Sequence, residues 1–234
     1  TGKGTLKTLR PSFSWEFYKA HKDDPDFKKA HAASEQLRRW GADGVPVDER
    51  QFWKIAGPRA RMQFIHFERC RGVRLEGFRI VGSPMWTVHL YRCADVVARG
   101  LDISARGLNT DGFDIEMTRD VLIEDCTLDQ QDDGFTIKAG KDAAGRAIGV
   151  PTENVLVRNC HVKNAHGILV IGSEVSAGVR NVRLENVTAD VVINGCYLKT
   201  NPYRGGFIED VWFENVTCSN AHHSAFAIET DVSY

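Results

Sequence analysis

An internal repeat constrains this chain more than any other feature, because self-similarity at a regular period limits the fold to stacked units. The segment Val-x-Φ-x-(Gly/Asp/Asn)-Φ-x-Φ, with Φ mostly apolar, occurs six times. The copies are VRLEGFRI from Val73, VVARGLDI from Val96, VLIEDCTL from Val121, VLVRNCHV from Val155, VRLENVTA from Val182 and VWFENVTC from Val211. They start 23 to 34 residues apart, and the longest step holds KDAAGRAIGVP (Lys141–Pro151), which reads as a loop rich in Gly and charge. Second short strands follow the copies: GFDIE from Gly112, GFTIK from Gly134, GILVI from Gly167, GCYLK from Gly195 and AFAIE from Ala225. The residues one and three places after each start are apolar and read as inward. Those two and four places after read as outward, because strand side chains alternate faces.

Short strands at this period predict an all-β chain, a right-handed parallel β-helix. A leucine-rich repeat is the runner-up, but its fixed Leu and Asn spacing is absent. A β-sandwich would not give a recurring column of the same residue types. The β-helix reading covers 61–234. Residues 1–60 do not fit the repeat and read as an N-terminal cap or side segment, with Ser14–Trp40 compatible with helix. Coils stack about 4.8 Å apart, so equivalent positions form columns and an alignment of the copies becomes a map of a surface.

Composition narrows the function. The 30 basic and 31 acidic residues nearly cancel, which argues against a nucleic-acid partner. No run approaches the ~18 apolar residues of a membrane span. The six cysteines include no C-x-x-C pair, so a zinc site is not expected. Cys126, Cys160, Cys196 and Cys218 fall at apolar strand positions and read as buried free thiols. The chain begins without Met or a signal peptide and reads as a processed or trimmed form. Its end soon after a strand leaves a coil edge, which fits a fragment, a compact variant or a protein that pairs through that edge. Nothing in the pattern sets an oligomeric state.

The column before each second strand holds Asp111, Asp133, His166 and Asn194. Asp132 precedes Asp133, and Asn109 lies two residues before Asp111. Three carboxylates and an imidazole therefore gather within about 10 Å, and like charges that close hold at least one proton to a raised pKa. A general acid at mild pH needs that condition. The outward column four places into the second strands holds Glu116, Lys138, Ile171, Lys199 and Glu229, so Lys138 and Lys199 are fixed cations suited to an anionic substrate. Asp-Gly by itself is only a turn signal. Asn159, Asn186 and Asn215 share one repeat position and read as a structural ladder.

From about Phe64 to Val216 the chain resembles glycoside hydrolase family 28, the polygalacturonases and related pectin hydrolases. The likeness rests on Asn109-Thr110-Asp111, Asp132-Asp133-Gly134, Ala165-His166-Gly167 and Tyr197-Leu198-Lys199, in that order. The family's patterns at the last two are Gly-His-Gly and Arg-Ile-Lys, so Ala165 and Tyr197 depart from them. SPMWTVHLYRC, IGVP, VIGSE and GVRNV also resemble bacterial members. The resemblance implies inverting hydrolysis of α-1,4-galacturonosyl bonds without metal or cofactor, a secreted or periplasmic setting, and an acidic polysaccharide or oligosaccharide as partner. It implies that Asp133 is the general acid, that Asp111 and Asp132 activate water, and that His166 tunes the acid. Lys199 would bind the sugar carboxylate, with Asn109, Gly167, Lys138 and Tyr197 beside it. Coil spacing puts neighbouring carboxylates about 5 Å apart, nearer the retaining separation, so inversion is implied by the family alone. Tyr for Arg opens rhamnogalacturonan or another decorated pectin as the substrate, or else Arg204 or Arg180 supplies the cation. A non-catalytic pectin-binding homologue and a β-helical polysaccharide lyase are the alternatives from other classes. The segments Lys141–Pro151 and Asn201–Gly206 are the candidates for control of endo against exo action.

Overall fold

The computed structural model describes residues 3–233. It opens with β1 (Thr5–Lys7) and the helices α1 (Trp15–His21), α2 (Pro25–Ala42) and α3 (Phe52–Ile55). Strands β2 (Ile65–Glu68), β3 (Arg74–Glu76), β4 (Arg79–Val81), β5 (Val88–Tyr91), β6 (Ala94–Arg99) and β7 (Asp102–Ala105) follow. Next come β8 (Phe113–Glu116), β9 (Arg119–Glu124), β10 (Thr127–Gln130) and β11 (Phe135–Lys138). After α4 (Asp142–Ile148) come β12 (Thr152–Arg158), β13 (His161–Gly172), β14 (Val179–Lys199) and β15 (Ile208–Glu229). All pairings are parallel and form three stacks, and the long strands β13, β14 and β15 bend through more than one of them. This is the expected parallel β-helix, with three strands per coil rather than two.

The third strand arises at the fifth residue of each repeat copy. Gly77, Gly100, Asp125, Asn159, Asn186 and Asn215 have φ of 68°, 62°, 56°, 52°, 51° and 51°. Left-handed backbone is costly for most L-residues and least so for Gly, Asn and Asp. That is why only those three types occupy the position. The chain bends there, so VRLEGFRI is two strands, β3 and β4, and not one. Asn186 Nδ2 donates to Asn159 Oδ1 at 3.5 Å and Asn215 Nδ2 to Asn186 Oδ1 at 3.1 Å, so the asparagines form a hydrogen-bonded ladder up the turn.

The core is a set of columns. Val88, Phe113, Phe135, Leu169, Cys196 and Phe226 pair in register, and the rings of Phe113 and Phe135 stack at 5.8 Å and 15°. Ile115, Ile137, Ile171 and Leu198 form the next. Ile171 is therefore inward, not outward as the alternation suggested. Counting back from the Phe135–Leu169 pair, Gly167 and not His166 stands level with Asp133. The slip has a physical cause. Ile168, Leu169, Val170 and Ile171 are all fully buried, so both faces of that strand are covered and no period of two survives in the sequence.

The Lys141–Pro151 segment is mostly helix, not loop: α4 ends at Gly149, whose φ is 64°. α2 packs against α4, Arg38 Nη2 lies 3.2 Å from Asp142 Oδ2, and β1 pairs with β4 on the third stack. All six cysteines are free; Cys126, Cys160 and Cys196 are buried, Cys218 half-buried.

Candidate active site

The outward face of the second-strand stack opens into a cavity of about 690 Å³. Asn109, Asp111, Asp132, Asp133, Lys138, His166 and Lys199 all line it. Each carboxylate comes from the turn before a second strand, so the coil stack itself brings residues far apart in sequence together. Asp133 is buried between Lys199 and His166. Lys199 Nζ donates to Asp133 Oδ2 at 3.3 Å, and His166 Nδ1 lies 3.0 Å from Asp133 Oδ1. Asp132 Oδ1 accepts from the Asp133 backbone N–H at 3.0 Å, and its Oδ2 accepts from the Asn109 backbone N–H at 3.1 Å. Thr136 Oγ1 donates to Asp111 Oδ2 at 3.2 Å, while the buried Asp111 Oδ1 has no hydrogen-bond partner among the described residues. Gly167 keeps space open, since a Cβ there would lie 2.3 Å from Val170 Cγ2 and 3.4 Å from Asp133 Oδ1.

These surroundings separate the three carboxylates in proton affinity. Burial, then Asp132 and Asp133, raise Asp111 well above the usual carboxylate range. Burial and the Asp133 charge raise Asp132 to about 6. Burial pushes Asp133 up as well, but Lys199 and the His166 hydrogen bond outweigh it and lower Asp133 to about 2. His166 is raised by its bond to Asp133. The expected raised carboxyl is present, but on Asp111 and Asp132 rather than on Asp133. Donor atoms of Asp132, Asp133 and His166 lie within 4.8 Å of one another, a spacing that a metal ion could use. The Asp133 oxygens in that cluster already face Lys199 and the imidazole.

Three expectations need correction. Arg204 does not reach the cavity: it is 1% exposed, donates to Ser173 O at 3.2 Å and pairs with Asp142 beside α4. Arg180 bonds Glu153 at 2.7 Å, away from the groove. Tyr197 is buried and its hydroxyl donates to Glu229, so that position offers no cation and its hydroxyl is already engaged. Lys138 does line the cavity, but it is largely buried against Glu174 at 3.1 Å and Asp114 at 3.8 Å, and it lies 4.7 Å from the Trp86 ring centroid. Ala165 keeps a negative φ, so the change from Gly is accommodated.

Several groups were not found in the sequence. Arg61 Nη2 donates to Asn109 Oδ1 at 2.8 Å and so holds Asn109. Trp15, Trp86, Glu174 and Ile193 also line the cavity. Trp15 and Arg61 come from the segment before the repeats, and Trp86 and Glu174 lie just outside the strand register, so no column marked them.

The fold and site together define a β-helical protein with a dense acid–base cluster on one face. The sequence profile described as Glycosyl hydrolases family 28 matches residues 17–233, and the chain belongs to that family. A "Probable polygalacturonase" of Vitis vinifera is 30% identical over 148 residues, covering 62% of this chain and 30% of its own length. "Probable endopolygalacturonase I" of Aspergillus flavus is 26% identical over 185 residues, covering 75% of this chain and 46% of its own length. The solved structure of a hyperthermoactive exopolygalacturonase from Thermotoga maritima superposes with a TM-score of 0.89 at 36% identity, over 100% of this chain and 54% of that one. The chain thus spans about a third to a half of the length of these relatives.

Proposed function

We propose that this chain hydrolyses α-1,4-galacturonosyl bonds in a pectin-type polysaccharide, with inversion and without a cofactor. The observation that carries the reading is the convergence of Asp111, Asp132, Asp133, His166 and Lys199 on one cavity. Glycosidic cleavage needs a proton for the leaving oxygen and a base for water. Asp133 is the acid in this reading, and Asp132, with Asp111, activates the water. In the free protein Asp133 is the most acidic of the set. A substrate carboxylate that takes up Lys199 removes the main charge holding Asp133 down. Asp133 then accepts the proton that His166 holds 3.0 Å away, which arms the acid only when a uronate is bound. A bacterial source and an extracellular or periplasmic setting belong to the same proposal. Family membership and the likeness to the Thermotoga maritima enzyme support it; no helix among the described residues is long and apolar enough to cross a membrane.

Tyr197 favours a second reading, a decorated pectin such as rhamnogalacturonan. Its hydroxyl is committed to Glu229, so a carboxylate stands where a cation would have met a second uronate. Product chromatography separates the readings. Saturated fragments from homogalacturonan with wild type, and none with Asp133→Asn, support the first. Release from rhamnogalacturonan alone supports the second. An unsaturated product would indicate a lyase, and no product from either polymer would leave a binding protein.

A further inference from the structure

The catalytic cavity has a more basic neighbour. A second cavity, about 770 Å³, shares Trp15, Trp86 and Asn109 with it. Arg59, Arg61 and Lys141 line this second space, and among the described residues no Asp or Glu does. The catalytic cavity has Asp111, Asp132, Asp133 and Glu174 in its wall beside Lys138, His166 and Lys199. The two arginines differ in what they already hold. Arg61 is committed to the oxygens of Ser12, Leu108 and Asn109. Arg59 is half-buried, with its guanidinium 5.1 to 5.8 Å from the ring centroids of Phe13, Phe17 and Phe27. Among the described residues it makes no side-chain hydrogen bond and no ion pair. Cation–π contact offsets part of its charge and none of its in-plane N–H donors. A half-buried guanidinium with unspent donors is suited to a planar anion held through two parallel bonds.

We infer that Arg59 is the anchor of a second uronate subsite, binding the carboxylate of a sugar residue that continues from the catalytic cavity past Trp86. Trp15, Tyr18 and Trp86 line the path, and their apolar faces suit the face of a pyranose ring. The subsite rests on the proposed function for the identity of the polymer, and on its own geometry for the anion. It also gives the N-terminal segment a binding role, since Trp15, Tyr18 and Arg59 all precede the first repeat copy.

Isothermal titration of trigalacturonate into Asp133→Asn and into the Asp133→Asn, Arg59→Met double variant tests the subsite without turnover. The double variant should bind about 10- to 100-fold more weakly, the loss of a charge-assisted pair. The neutral α-1,4-galactotriose should not distinguish the two proteins. In the active background, Arg59→Met should raise KM for trigalacturonate by a similar factor with kcat within about 2-fold, the signature of lost ground-state and transition-state binding alike. If Arg59→Met does not fold, Arg59→Lys replaces it; this keeps the charge, removes the fork, and should still weaken binding measurably. Equal trigalacturonate affinity in the paired proteins, or binding to neither, overturns the inference. Weakened binding in a protein whose wild type releases no product would uphold the subsite and remove the hydrolase reading.

Discussion

Asp133 sits between Lys199 at 3.3 Å and His166 at 3.0 Å, while its neighbour Asp132 faces backbone N–H groups. That difference sets a pH profile. With Asp132 raised to about 6, kcat/KM should rise as pH passes through about 6, because the base must be ionised. It should fall at a pH above the usual histidine value of about 6.5, as His166, raised by Asp133, loses the proton it passes on. The two limbs belong to the coupled cluster rather than to single residues. An acid limb near pH 4, the value for ordinary aspartates, would exclude this arrangement. Asp111 yields a stability test with a definite sign. Its folded pKa is raised, mainly by burial, so the ionised form is penalised on folding at any pH above the unfolded value of about 4. Asp111→Asn should abolish turnover and stabilise the fold at pH 7 by about 1–2 kcal/mol, read as a Tm gain of about 2–4 °C per kcal/mol. At pH 3 both proteins are neutral there, and the gain should vanish. A Tm loss at pH 7 would show that Asp111 is structural. Asp111, Asp133 and Lys199 are legible in the sequence because each holds a fixed place in a coil, whereas Asp132 and His166 stand one residue before that place. Arg61 and Trp15 are not legible, since only tertiary packing carries them to the groove.

At the scale of a strand or turn, legibility depends on whether the outer face is polar. Phe113/Ile115 and Phe135/Ile137 alternate with groove residues, and their inward columns were read correctly. The run Ile168–Ile171 is apolar on both faces, so the sequence leaves its register open by one residue. The fifth-position bend is hidden differently: Gly, Asp and Asn stand in the sequence, but the left-handed backbone that divides each copy into two strands belongs to the fold. Columns make a further claim about energy. Ile137 is fully buried between Ile115 and Ile171, so neither neighbouring coil can collapse into a gap without losing its own register. Ile137→Ala should therefore cost about 2–5 kcal/mol. Urea denaturation should show a lower midpoint at unchanged m. A change below ~1 kcal/mol would mean that the stack relaxes more freely than close packing allows.

The whole molecule is close to one-dimensional, since each coil touches only the coils above and below it. Its stability should therefore vary along the axis. β15 pairs only with β14 among the described strands, and its Phe226 and Ile228 are exposed although they continue the core columns of Cys196 and Leu198. β11 is held between β8 and β13, and its Phe135 and Ile137 are fully buried. At the other end, β1 is linked to β4, and α2 is pinned to α4 across the side of the stack. In a polypeptide of these 234 residues, opening should therefore begin at β15 and proceed inward, reaching the catalytic turns of Asp111 and Asp133 last. Native-state hydrogen exchange checks this directly. Amides of β15 should exchange at free energies well below those of β8 and β11, with β14 between them. Uniform protection from β5 to β15 would instead show one cooperative unit, and coupling between coils strong enough to hold β15 against its own exposed apolar side chains.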